Sequence, residues 1–264
     1  MTTPSPPTAR PATSAIVALI VAAQAMVQIG AFTLPALLPG YIARWDLSKT
    51  EAGWLIGIFF AAYVCAVPVL VAMTDRWPAR RVYLVGAAAT ALSHLGFVVW
   101  ADGFWSAFCL RAIAGIGWAG CYMPGLKVLA DSHEGAAQSC AVSLHAAGVG
   151  MAGAASFAVS GLLDALAGPR AAFLFGALSG CGAFVIALLV MPRSLPPRAR
   201  QPVSALLDFR PVLRNRAAMG WIAGYTVHTW ELAAARAFGV TFLTATAARM
   251  GAPSWWPDAT LLFT

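Results

Sequence analysis

Long apolar runs separated by short polar loops organise this chain. Segments of about 20 apolar residues are long enough to cross the roughly 30 Å hydrocarbon layer of a bilayer as helices. The sequence holds seven: Ser14 to Leu38, Ala52 to Met73, Val82 to Trp100, Phe104 to Leu126, Gln138 to Leu163, Ala171 to Met191 and Ala217 to Leu243. The predicted fold is therefore an all-α integral membrane bundle. Residues 1–13, rich in Pro, Thr and Ser, are expected to form a disordered tail, because the run that follows is too long for the core of a cleavable signal. Pro192 to Arg216 is the long loop, a basic linker between a six-span block over residues 14–191 and residues 217–264. A further apolar run begins at Ala259 and stops with the chain at Thr264, so the reading expects an eighth span cut off near its start.

Composition removes the main alternatives. Hydrophobic residues make up 60% and charged residues 10%, against about 25% charged in ordinary soluble domains. A net charge of +7 would suit nucleic acid, but the basic residues lie in loops between apolar runs, which is a topology signal. With the amino terminus inside, eleven Lys and Arg fall on the inner side, against Arg44, Lys49, Arg170 and Arg249 outside. Positive loops stay cytoplasmic, so the amino terminus is placed on the cytoplasmic side of a cell (inner) membrane. Trp45, Trp100, Trp105, Trp255 and Trp256 fall near the outer boundaries, as an interfacial aromatic belt does. A seven-helix receptor matches the number of spans but carries its amino terminus outside. The five cysteines show no C-x-x-C spacing, so neither a disulfide framework nor a metal site is expected. Without a Walker loop, H-E-x-x-H or G-x-S-x-G, nothing points to a P-loop pump or an enzyme, and no cofactor is implied.

Polar groups inside the spans are the functional candidates, since a charge at mid-bilayer costs about 2.5 to 3.5 kcal/mol on insertion scales. Arg111 lies roughly 10 Å below the outer surface by helical rise, too deep for easy snorkelling. It either faces a wet cavity or is held by a buried partner or a helix carbonyl. The seventh span is the most polar, with His228, Thr229, Glu231 and Arg236. His228 and Glu231 share a face at a spacing of three, whereas Arg236 is turned away from Glu231. Gln24 and Gln28 also share a face, either toward a cavity or in interhelical hydrogen bonds. His94 and His145 stand alone in their spans and are read as structural. Gly115, Gly117 and Gly120 on the fourth span, Gly148, Gly150 and Gly153 on the fifth, and Gly176 and Gly180 on the sixth are read as packing positions.

Three stretches, in order, carry a family resemblance. Asp75-Arg76 with Pro78-Ala79-Arg80-Arg81 follows the second span, with Val71 where the family's signature has Gly. Arg111, Gly115, Gly117 and Gly120 on the fourth span match an Arg followed by Gly-x-Gly and small residues. Gly168-Pro169-Arg170-Ala171-Ala172-Phe173 is similar to a Gly-Trp-Arg-x-x-Phe start of a sixth span. With six spans, a basic central loop and further spans, residues 14 to 243 resemble the major facilitator superfamily.

The resemblance implies a secondary transporter, symporter or uniporter, that moves a small solute across a lipid bilayer as one six-helix half rocks on the other. The carboxy-terminal half of such a carrier is missing here, and a non-transporting fragment is the alternative. It also implies a cavity lined by the first, fourth and seventh spans, which would gather Gln24, Gln28, Arg111, His228 and Glu231, with Arg236 nearby. In that reading Glu231 titrates with a coupling proton or pairs with a cation, and Arg111 contacts an organic anion or zwitterion. For the hinge, the resemblance implies a cytoplasmic gate of Asp75, Arg76, Arg80 and Arg81, with Asp131 as partner of Arg80 or Arg81. A plain positive-inside anchor is the other reading. The fifth span lacks the proline usual in the family's drug and proton antiporters, which argues against an exporter of that type.

Overall fold

The apolar runs fold as helices whose ends are set by local chemistry. A computed structural model describes residues 11–193, 209–251 and 259–262. The tail before Pro11, most of the basic linker, and Trp255 and Trp256 lie outside these residues. The helices are α1 (Pro11–Gln28), α2 (Thr33–Trp45), α3 (Lys49–Met73), α4 (Ala79–Val99), α5 (Phe104–Asp131), α6 (Gly135–Ala167), α7 (Pro169–Val190), α8 (Arg210–Arg214), α9 (Arg216–Met250) and α10 (Ala259–Leu262). Ser48 opens α3 with a capping box. Its Oγ accepts the Glu51 N–H at 3.2 Å, and Glu51 Oε2 accepts the Ser48 N–H at 2.9 Å. Asn215 starts α9 by accepting the Ala217 and Ala218 N–H groups on its Oδ1. Gly168, at φ 83°, reverses the chain between α6 and α7, and Pro169 takes the first position of α7, where no N–H is needed.

Six units are long and apolar enough to cross a membrane: residues 15–45, which join α1 and α2, and the helices α3, α4, α5, α6 and α7. They match the first six predicted spans. The 35-residue α9 covers the seventh, but it is more polar and falls outside that group. The bundle is apolar on its outer surface, with Val85, Leu92, Leu178 and Leu189 each more than 60% exposed. Its interior is where polar side chains collect: Gln24, Gln28, His94, Arg111 and His145 are each at most 2% exposed. Such an arrangement suits a lipid solvent. Small residues let the helices touch. A Cβ on Gly86 of α4 would fall 2.7 Å from the Gly117 carbonyl oxygen of α5, so these two helices meet backbone to backbone. The packing reading holds there and at Gly180, which faces Ala91. It does not hold at Gly150, where a Cβ would meet nothing within 4 Å.

The first predicted span departs from expectation, because it is broken at residues 29–32. The physical cause is Pro35. In a continuous helix the N–H of residue 35 would close on the Ala31 carbonyl, and proline has none. The groups released by the break are taken up by three other helices. Arg111 Nη1 of α5 donates to the Ala31 carbonyl at 3.2 Å, His94 Nε2 of α4 lies 2.8 Å from the Gly30 carbonyl, and the Phe32 N–H donates to Ser156 Oγ of α6 at 3.2 Å. Irregular backbone at membrane depth is tolerated where protein satisfies it in this way.

Candidate functional site

The break adjoins a cavity of about 500 Å³ between α1, α3, α5, α6 and α9, within the usual range for small-molecule sites. Its wall is largely aromatic. Tyr63 lies 4.6 Å from Trp118, Tyr122 continues the column at 5.9 Å, and behind the wall Phe59 stacks on Trp118 with ring centroids 5.5 Å apart. Gln28, fully buried at the end of α1, accepts the Trp118 indole N–H on its Oε1 at 2.6 Å. That bond fixes the amide, and its Nε2 has no partner among the described residues. Gln28 thus borders the cavity with a buried, unpaired amide nitrogen turned toward Gly153 of α6.

Arg236 supplies the charge. On α9, Tyr225, Thr229, Leu232, Ala233 and Arg236 recur at helical spacing and face the cavity. The Arg236 guanidinium carbon lies 5.4 Å from the Phe32 ring centroid, a cation over an aromatic face. Arg236 makes no ion pair among the described residues, and no carboxylate lines the cavity. A chamber with aromatic walls and one guanidinium is suited to a molecule with an apolar body and an anionic end.

Several of the predicted site residues lie elsewhere. Gln28 and Arg236 reach the cavity, but Gln24 is buried one turn away from it. His228 and Glu231 are exposed and do not line it. Arg111 does not line it either. It is the carbonyl tie weighed as the alternative above, with its guanidinium carbon also 4.3 Å from the Phe59 ring centroid. Trp118, Tyr63 and Tyr122 line the cavity without having been singled out in the sequence, where an aromatic within a span carries no mark of the face it takes. At the basic end of the bundle, Asp75 pairs with Lys127 of α5 at 2.6 Å. Arg80 donates a hydrogen bond to the Leu188 carbonyl of α7. Arg81 lies along a groove with Trp77 and Val85, and Arg76 is exposed.

Comparison with known proteins agrees with this architecture. The family model of the Major Facilitator Superfamily matches residues 20–262. The chain is 32% identical to Monocarboxylate transporter 11 of Homo sapiens over 188 residues, which are 66% of this chain and 38% of that protein. It is 31% identical to Monocarboxylate transporter 11 of Mus musculus over 180 residues, 66% of this chain and 40% of that protein. The chain therefore spans about two fifths of the length of these curated relatives. Among solved structures, a bacterial homolog of the human lysosomal transporter Spinster, in an inward-facing and unoccupied conformation, matches with a TM-score of 0.60. That match covers 97% of this chain and 67% of the other at 16% identity, a likeness of fold alone. With its motifs in order, its six apolar spans and a family match over nearly its whole length, the chain belongs to the Major Facilitator Superfamily of membrane transporters.

Proposed function

We propose that this chain supplies the amino-terminal bundle and seventh helix of a secondary carrier for small monocarboxylates with an apolar body, driven by a coupled proton. The single observation that carries the reading is Arg236, an unpaired guanidinium on an aromatic wall with no carboxylate beside it. The named substrate class of the curated relatives points the same way. The amino terminus lies in the cytoplasm in this proposal, because the basic residues gather at that end of the bundle. A second bundle closes the far wall of the cavity, and the two rock about it to expose the site alternately. Asp75 and Lys127 belong to the inner gate, bracing the end of α3 against α5 as it opens.

The test is uptake of labelled aliphatic and aromatic monocarboxylates into proteoliposomes carrying the full natural chain, under an imposed pH gradient. A charge-assisted hydrogen bond is worth about 1.5 to 3 kcal/mol, so Arg236→Gln should lower kcat/KM roughly 10- to 100-fold. The corresponding amides should not be carried. Equal uptake by wild type and Arg236→Gln would reject the reading.

A further inference from the structure

Outside the cavity lining, one cluster of buried polar groups has no partner among the described residues. Gln24 on α1, Tyr83 on α4 and His145 on α6 are each at most 1% exposed. Both Gln24 amide atoms, the Tyr83 hydroxyl and both His145 ring nitrogens have no hydrogen-bond partner among the described residues. The three side chains converge on Gly125 of α5, where a Cβ would lie 3.2 Å from Tyr83 Cε2, 3.5 Å from His145 Nε2 and 3.6 Å from Gln24 Oε1. Buried polar atoms are satisfied by protein or by ordered water with few exceptions. Glycine at this position lets the three side chains approach the α5 backbone together. The amide and the hydroxyl both donate and accept, and a neutral imidazole does one of each. Water, with two donors and two acceptors, complements all three groups.

The cluster also adjoins the cavity. Gln24 and His145 each stand one helical turn from a lining residue, Gln28 and Val149, and the Tyr122 ring of the cavity wall lies 5.4 Å from the His145 ring. We propose that Gln24, Tyr83 and His145 form a hydrated site over Gly125, and that His145 is where the carrier takes up and releases its coupling proton. A His145 ring nitrogen accepts a proton from hydronium delivered through the site's water, becomes imidazolium, and returns the same proton to water once the cavity faces the other side. No other bond changes. The titratable groups facing His145 are Tyr83 from α4 and Tyr122 from α5, and α1 presents the uncharged Gln24. Lys127 of α5 is held by Asp75 and Arg80 of α4 by the Leu188 carbonyl. The charged residues of α2 and α7, Arg44 and Arg170, stand at the opposite end of the bundle. The proton role rests on the coupled-carrier reading above; the hydration does not.

Solid-state NMR separates the two. The full natural chain in lipid nanodiscs, labelled with ¹⁵N-histidine, carries four histidines in the sequence given, and His145→Gln identifies the resonance of interest. Water should transfer magnetisation to the His145 ring several-fold more strongly than to His94, whose two ring nitrogens lie 2.8 Å from the Thr90 and Gly30 carbonyls. The His145 shift should move with pH, and Gly125→Ala, which crowds the three side chains, should weaken the transfer. A His145 ring as dry as His94, or unmoved by pH, overturns the proposal. In proteoliposomes His145→Gln should keep solute exchange but lose the response to a pH gradient; an undiminished response overturns the proton role. If wild type carries no monocarboxylate, the proposed function fails while the NMR outcome still decides the site.

Discussion

Pro35 withholds an N–H from the Ala31 carbonyl, and Arg111 takes that carbonyl from a neighbouring helix. This pairing gives a deeply buried guanidinium a structural task. The depth of Arg111 was legible in the sequence, and so was the choice between a cavity contact and a carbonyl tie. Its partner was not, because the signal is a proline four residues past a carbonyl on a different span. Arg111→Met should leave that carbonyl unsatisfied and lower stability by about 1 to 3 kcal/mol, read as earlier thermal unfolding in nanodiscs, while the KM of the folded fraction stays at the wild-type value. A raised KM at unchanged stability would make Arg111 a solute contact after all.

At the scale of elements, the first six of the seven runs read from hydropathy are crossing units in the structure, because lipid exposure demands long apolar runs whatever their neighbours. It could not register the break at residues 29–32, since hydropathy reads side chains and the break is a matter of backbone hydrogen bonds. On α9 the sequence placed His228 and Glu231 on a shared face but could not choose the face that meets the bundle. Ala237 and Val240 are the buried positions of α9 among the described residues, too few to mark a core stripe. The glycine seam between α4 and α5 was legible as composition, and the structure sorts its members. A Cβ on Gly120 would lie 2.9 Å from the Gly86 Cα, so Gly120→Val should cost about 1 to 3 kcal/mol by overpacking. Gly150→Ala enters open space and should be neutral or gain up to about 1 kcal/mol through helix propensity. Thermal unfolding of the two variants side by side checks the contrast, and equal losses would contradict the packing described.

Across the whole molecule, the bundle is apolar outside and polar within, and beside the unpartnered Gln24, Tyr83 and His145 its polar interior divides into two parts. One part, His94, Arg111 and Ser156, holds the broken first span together. The other, Gln28 and Arg236 with the aromatic column, forms a chamber. The claim on which the functional account rests is that this chamber is wet and takes the transported solute. Its most direct test is cysteine accessibility in the full natural chain with the native cysteines replaced. Thr229→Cys, on the chamber face of α9, should react with a water-soluble maleimide and be protected by a monocarboxylate, whereas Glu231→Cys, outside the chamber, should show no protection. Protection at residue 231 but not at 229, or a residue 229 that never reacts, would contradict the account.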